Sequence, residues 1–136
     1  MVSKWFVPIL LFFLALLCDG TGLLAADFLT EVDAGHMRGV LQGDKVILDL
    51  PENPSTGYRW TLAIVPANAA DITRDRFIAG ERGSNGRPSR VGMEGTRRFS
   101  LRIHHRGRIR LDARLWRHWE GAGSVKRHLR FSLWSR

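Results

Sequence analysis

From residue 45 onward the chain repeatedly alternates apolar and polar side chains, and this constrains its fold more than any other feature. In "KVILDL", Val46, Leu48 and Leu50 share one parity. In "RRFSLRIH" the set is Phe99, Leu101 and Ile103. "GRIRLDARLW" places Ile109, Leu111, Ala113 and Leu115 against Arg108, Arg110, Asp112 and Arg114. "HLRFSLW" sets Leu129, Phe131 and Leu133 against His128, Arg130 and Ser132. Side chains on a strand point to opposite faces with period two, so such segments bury one face only as strands. One apolar and one polar face describes half-buried antiparallel strands.

Short strands separated by Gly, Pro, Asn and Ser clusters predict an all-β protein, an immunoglobulin-like antiparallel β-sandwich of about seven strands. The expected strands lie near His36–Val40, Lys45–Leu50, Tyr58–Ile64, Arg74–Ala79, Thr96–His104, Arg108–Trp116 and Ser124–Trp134. "VPANAAD" is expected to make a short turn of helix, and "GERGSNGRPSRVG" to be a long loop.

The front of the chain follows another rule. Lys4 precedes an apolar run from Trp5 to Leu17, and small residues, Ala25 and Ala26, precede Asp27. That order is a secretory signal, too short for a comfortable membrane span of about 20 apolar residues. The expected division is residues 1–26 as signal peptide and 27–136 as one domain, with no stable membrane insertion after cleavage. "LALLCDG" hints at a lipobox around Cys18, but Leu17 is too large for the position before a lipidated Cys. Cys18 is the only cysteine, so the processed chain has neither disulfide nor thiol nucleophile. A periplasmic or secreted location in a bacterial envelope is expected.

The formal net charge is +8 and stays so after processing, since the leader removes Lys4 and Asp19. A basic surface attracts anionic partners. Export and the lack of a recognition helix or zinc-finger spacing argue against nucleic acid.

Three segments between the alternating runs bear on function. In "NPSTGY", residues 53–58, Pro54 fixes its own φ and restricts Asn53 to extended geometry, while Gly57 can take positive φ. Ser55 and Thr56 put small hydroxyls at the tip, and Tyr58 ends the segment. Such a stretch is either an ordinary turn or a stiff polar tip with little order left to lose on binding. "GMEG", Gly92, Met93, Glu94 and Gly95, precedes a strand. "RHW", Arg117, His118 and Trp119, follows one, and a Trp in a loop needs burial or a partner. In an immunoglobulin-like sandwich these three connections can gather at one end.

Together the segments resemble the chagasin-type inhibitors of cysteine peptidases, family I42. These carry Asn-Pro-[Thr/Ser]-Thr-Gly-Tyr, Gly-x-Gly-Gly and Arg-Pro-Trp motifs in that order. "NPSTGY" matches the first. In the second Gly92 and Gly95 correspond, with Glu94 in place of Gly. In the third Arg117 and Trp119 correspond, with His118 in place of Pro. The resemblance implies a monomeric, reversible inhibitor whose three loops wedge into the cleft of a papain-like cysteine peptidase, the first against the catalytic thiol.

Enzyme readings find little footing. No G-x-S-x-G elbow occurs. His104 and His105 are adjacent and would face opposite ways on a strand. His36, His118 and His128 show no ligand-like spacing, so no cofactor or metal is expected. The competing reading is an envelope-associated module of the same fold whose Arg-rich face, on the two late strands, binds anionic lipid or glycan.

Overall fold

The computed structural model describes residues 26–80 and 94–136. Among the described residues eight strands run in chain order: β1 Asp27–Leu29, β2 Met37–Val40, β3 Lys45–Glu52, β4 Arg59–Val65, β5 Ala70–Ala79, β6 Gly95–Ile103, β7 Gly107–Trp116 and β8 Arg127–Ser135. They form two four-stranded sheets, ordered β1-β3-β6-β5 and β2-β8-β7-β4, packed as an immunoglobulin-like sandwich. The alternating residues fill the space between the sheets. Val46, Leu48, Leu50, Phe99, Leu101, Ile103, Ile109, Leu111, Ala113, Phe131 and Leu133 are all buried. Trp60 joins them, its indole N–H donating to the Pro51 carbonyl at 2.8 Å, so the large ring is buried without an unpaired donor.

The principal pairings, β3–β6, β5–β6, β4–β7 and β7–β8, are antiparallel. The eighth strand, β1, was not expected. It pairs parallel with β3, and β2 pairs parallel with β8. Between β1 and β2 the chain changes sheet through a 3-10 turn, Glu31–Asp33, where Asp33 accepts from the Thr30 amide at 2.9 Å.

Three expectations along the chain are corrected. "VPANAAD" forms a hydrogen-bonded turn rather than helix, with the Ala69 amide donating to the Pro66 carbonyl at 3.0 Å. β5 begins at Ala70 rather than Arg74, because a bulge between Ile72 and Arg74 breaks the alternation that would have revealed it. The last strand begins at Arg127, because Ser124 ends a 3-10 turn, Ala122–Ser124, in the preceding connection.

Candidate functional site

Strand register sets three connections at one end of the sandwich. Glu52 ends β3 opposite Gly95, which begins β6, and Gly95 faces Ala79 at the end of β5. On the other sheet Arg59 faces Trp116, and Leu115 faces Arg127. The β3–β4, β5–β6 and β7–β8 connections therefore leave from the same end.

The first loop holds its own shape. Asn53 caps a 3-10 turn, Pro54–Thr56, its side-chain oxygen accepting from the Ser55 amide at 3.1 Å and the Ser55 hydroxyl at 2.7 Å. The Thr56 hydroxyl donates to the Asn53 carbonyl at 2.7 Å. Gly57 closes the turn at φ +76°, its amide donating to the Pro54 carbonyl at 3.1 Å. A side chain at that φ is disfavoured.

The third loop braces the first. The Arg117 guanidinium donates from Nε at 3.2 Å and from Nη2 at 2.8 Å to the Thr56 carbonyl. It also pairs with Glu120 at 3.1 Å and lies 4.5 Å from the centre of the Tyr58 ring. Lys126 approaches the same ring at 5.3 Å. Trp119 rests beside Gly57, where an added Cβ would meet its ring at 3.2 Å, yet the side chain is 61% exposed. His118 meets the Trp119 ring edge-on at 5.1 Å. Ser124 accepts from the Arg117 amide at 3.1 Å, fixing the base of the loop.

The second loop is represented by its final residues. Glu94 is exposed and lines, with Asn53, Thr56, Tyr58 and Lys126, a groove of ≈ 390 Å³ between the loops. Gly95 belongs to β6 and has a packing reason to be glycine: a Cβ there would strike the Phe77 ring and lie 2.5 Å from the Ile78 carbonyl oxygen. Gly92 and Met93 lie outside the described residues.

Two residues at the site's base escaped the sequence reading. Glu52 is buried under the loops, where it accepts from the Trp60 amide at 2.8 Å and stands 4.0 Å from Arg97. Arg97 in turn pairs with Asp75 at 2.6 Å. Parity was the available signal: Glu52 shares it with Val46, Leu48 and Leu50, and Arg97 with Phe99 and Leu101. Two opposite charges on inward positions at adjoining strand ends predict a partly buried ion pair. The histidines are dispersed, with His104 bonded to Asp71 at 2.7 Å and His128 3.4 Å from Asp112. Among the described residues no three His, Cys, Asp or Glu side chains are placed to hold a metal.

The arrangement amounts to a projecting edge with a stiff polar tip, an exposed aromatic ring beside it and a basic and acidic rim. A family model described as the chagasin family of peptidase inhibitors, I42, matches residues 40–133. The crystal structure of a cysteine protease inhibitor from Entamoeba histolytica is similar, at 25% identity and a TM-score of 0.71, covering 82% of this chain and 96% of that one. The solution structure of Amebosin shares the fold at 18% identity and a TM-score of 0.65, covering 82% and 99%. Comparison with curated proteins gives no match.

Proposed function

The chain belongs to the chagasin family of peptidase inhibitors, and from that premise we propose that it is an exported, reversible inhibitor of papain-like cysteine peptidases. The residues that enter the enzyme's cleft are Asn53–Tyr58, Gly92–Gly95 and Arg117–Trp119. One observation carries this reading: Arg117 holds the Thr56 carbonyl with two N–H groups while Trp119 stands exposed beside the same tip.

The hydrogen bonds explain how such a tip blocks a peptidase without being cut. Hydrolysis requires a scissile carbonyl to enter the enzyme's oxyanion hole at a near-attack angle. The carbonyls of Asn53, Pro54 and Thr56 already accept bonds from within the inhibitor. Presenting the Thr56–Gly57 peptide for attack would break the Arg117 fork. The tip thus occupies the cleft as a shape, with little conformational entropy to lose on docking. Trp119 supplies an aromatic anchor of the type enriched at interface hot spots.

Export rests on the leader, whose expected cleavage after Ala26 leaves Asp27, the first residue of β1, at the new N-terminus. The deciding experiment is titration of the processed protein against papain. Saturable, reversible inhibition is expected, persisting at about 0.5 M salt, where the Debye length is only a few Å. Trp119→Ala should weaken it by about 2 kcal/mol, roughly thirtyfold at 1.4 kcal/mol per decade. Inhibition indifferent to Trp119 would place the contact on another edge.

A further inference from the structure

Both sheets turn rows of arginine outward, but they treat the charge differently. On the sheet containing β7, Asp112 gathers Arg110 at 2.9 Å, Arg130 at 3.4 Å and His128 at 3.4 Å. On the other sheet a groove of ≈ 360 Å³ is lined by Lys45, Thr73, Arg74, Arg76, Arg98 and Ser100, with Ile47 beneath. Asp49 engages Arg98 alone, through a fork of 2.7 and 2.5 Å. That hydrogen bonding raises the guanidinium pKa above its ordinary value. Among the described residues Lys45, Arg74 and Arg76 line this one groove without an acidic partner, whereas Arg108 and Arg114 of β7, which also have none, stand at opposite ends of their strand.

The β5 bulge creates this concentration. Ile72 faces the inward Leu101, and after the bulge Arg74 faces Ser100 and Arg76 faces Arg98. Regular pairing beyond Ile72 would set Arg74 opposite Phe99, on the inward side of the sheet. The bulge therefore turns two arginines outward, at the expense of setting Arg76 directly opposite Arg98. Like charges directly opposite are destabilising. A local conflict of this kind is characteristic of functional sites.

The geometry points to a binding groove for a linear anionic polysaccharide, whose sulfate or carboxylate groups lie between Lys45, Arg74 and Arg76. Sugar hydroxyls suit the remaining lining: the Thr73 hydroxyl, which donates to the Ser100 carbonyl at 3.0 Å, keeps lone pairs free to accept. Phe28, 56% exposed on β1 opposite Ile47, continues the same row and offers a ring face to a sugar. A depression lined by hydroxyls and guanidinium groups fits a hydrated chain better than acyl tails. The groove lies on the sheet face between Lys45 and Arg76, away from the loop end, so glycan and peptidase can be held together.

The test is calorimetric titration of the intact protein with a heparin octasaccharide, alone and with its loop end saturated by inactivated papain. Binding is expected in both cases. Arg74→Ser with Arg76→Ser should lower affinity about tenfold or more and reduce the slope of log K against log salt. Arg108→Ser with Arg114→Ser removes the same charge from the other sheet and should leave affinity within about twofold. Equal losses from the two pairs would reduce the effect to net charge and overturn the site. Binding to phosphatidylglycerol vesicles without binding to the octasaccharide would overturn it in favour of lipid. Binding to neither would remove the proposal altogether.

Discussion

The body of the sandwich and its loop-bearing end are held together by different forces. In the body, apolar side chains from both sheets meet in one core, and Val46, Leu48, Leu50, Leu101, Leu111 and Leu133 are fully enclosed. At the loop end neither 3-10 turn, Pro54–Thr56 or His118–Glu120, buries a single residue. Order there comes from an Asn cap, a positive-φ glycine and one guanidinium. Burial is cooperative, so a fault in the body spreads to the whole domain. A hydrogen-bonded tip can fail alone. Stability and inhibition should therefore separate by region, and substitutions in each region test the separation.

The largest effect belongs to the body. Leu111 is wholly buried in β7 between Ile64 and Phe131 on the neighbouring strands. Leu111→Asp places an unpaired carboxylate there and should cost about 4 kcal/mol or more, a large part of the 5–15 kcal/mol typical of a domain. Urea denaturation followed by circular dichroism measures it. A melting temperature within a degree or two of the parent would mean that the body is not held by this core.

What could be read in the sequence follows the same division. Where the alternation was unbroken, at residues 46–50, 99–103 and 109–115, parity alone assigned the inward residues. Where a bulge interrupted it, at Thr73, the strand start was misplaced by four residues. β1 has only three residues, too few to show a period, and gains its place from pairing with β3. At the loop end, residue type identified Asn53, Pro54 and Gly57 by their backbone preferences. The Arg117 fork onto Thr56 joins residues 61 apart and has no local signature. Gly95 has a second reason to be glycine that no motif displays. Grouped with the second loop by its motif, it lies in β6, and its missing side chain makes room for Phe77.

At the loop end the strongest expected effect is at Gly57. Its φ of +76° and the Trp119 ring 3.2 Å from a hypothetical Cβ both exclude a branched side chain. Gly57→Val should raise the inhibition constant at least about a hundredfold, roughly 2.7 kcal/mol. The body should remain folded, with a stability loss of about 1–3 kcal/mol from local strain. Paired inhibition and melting measurements on this variant sharpen the comparison. Unchanged inhibition with altered melting would make the first loop an ordinary turn.

The smallest effect isolates the brace. Arg117→Lys keeps the positive charge but loses the planar fork that reaches the Thr56 carbonyl from two nitrogens and lies against Tyr58. Lysine presents a single ammonium in place of that preorganised geometry. Because Arg117 is half-buried at the surface, stability should change by less than about 1 kcal/mol. The inhibition constant should rise about tenfold, near 1.4 kcal/mol. A second consequence follows from freeing the Thr56 carbonyl. With its acceptor no longer held, the Thr56–Gly57 peptide gains access to attack geometries, and slow cleavage within residues 53–58 should appear on long incubation with active papain. Mass spectrometry would locate the cut, with the parent protein intact under the same conditions. If Arg117→Lys inhibits as well as the parent and resists cleavage equally, the first loop holds its shape without the third, and the tip depends on its own turn alone.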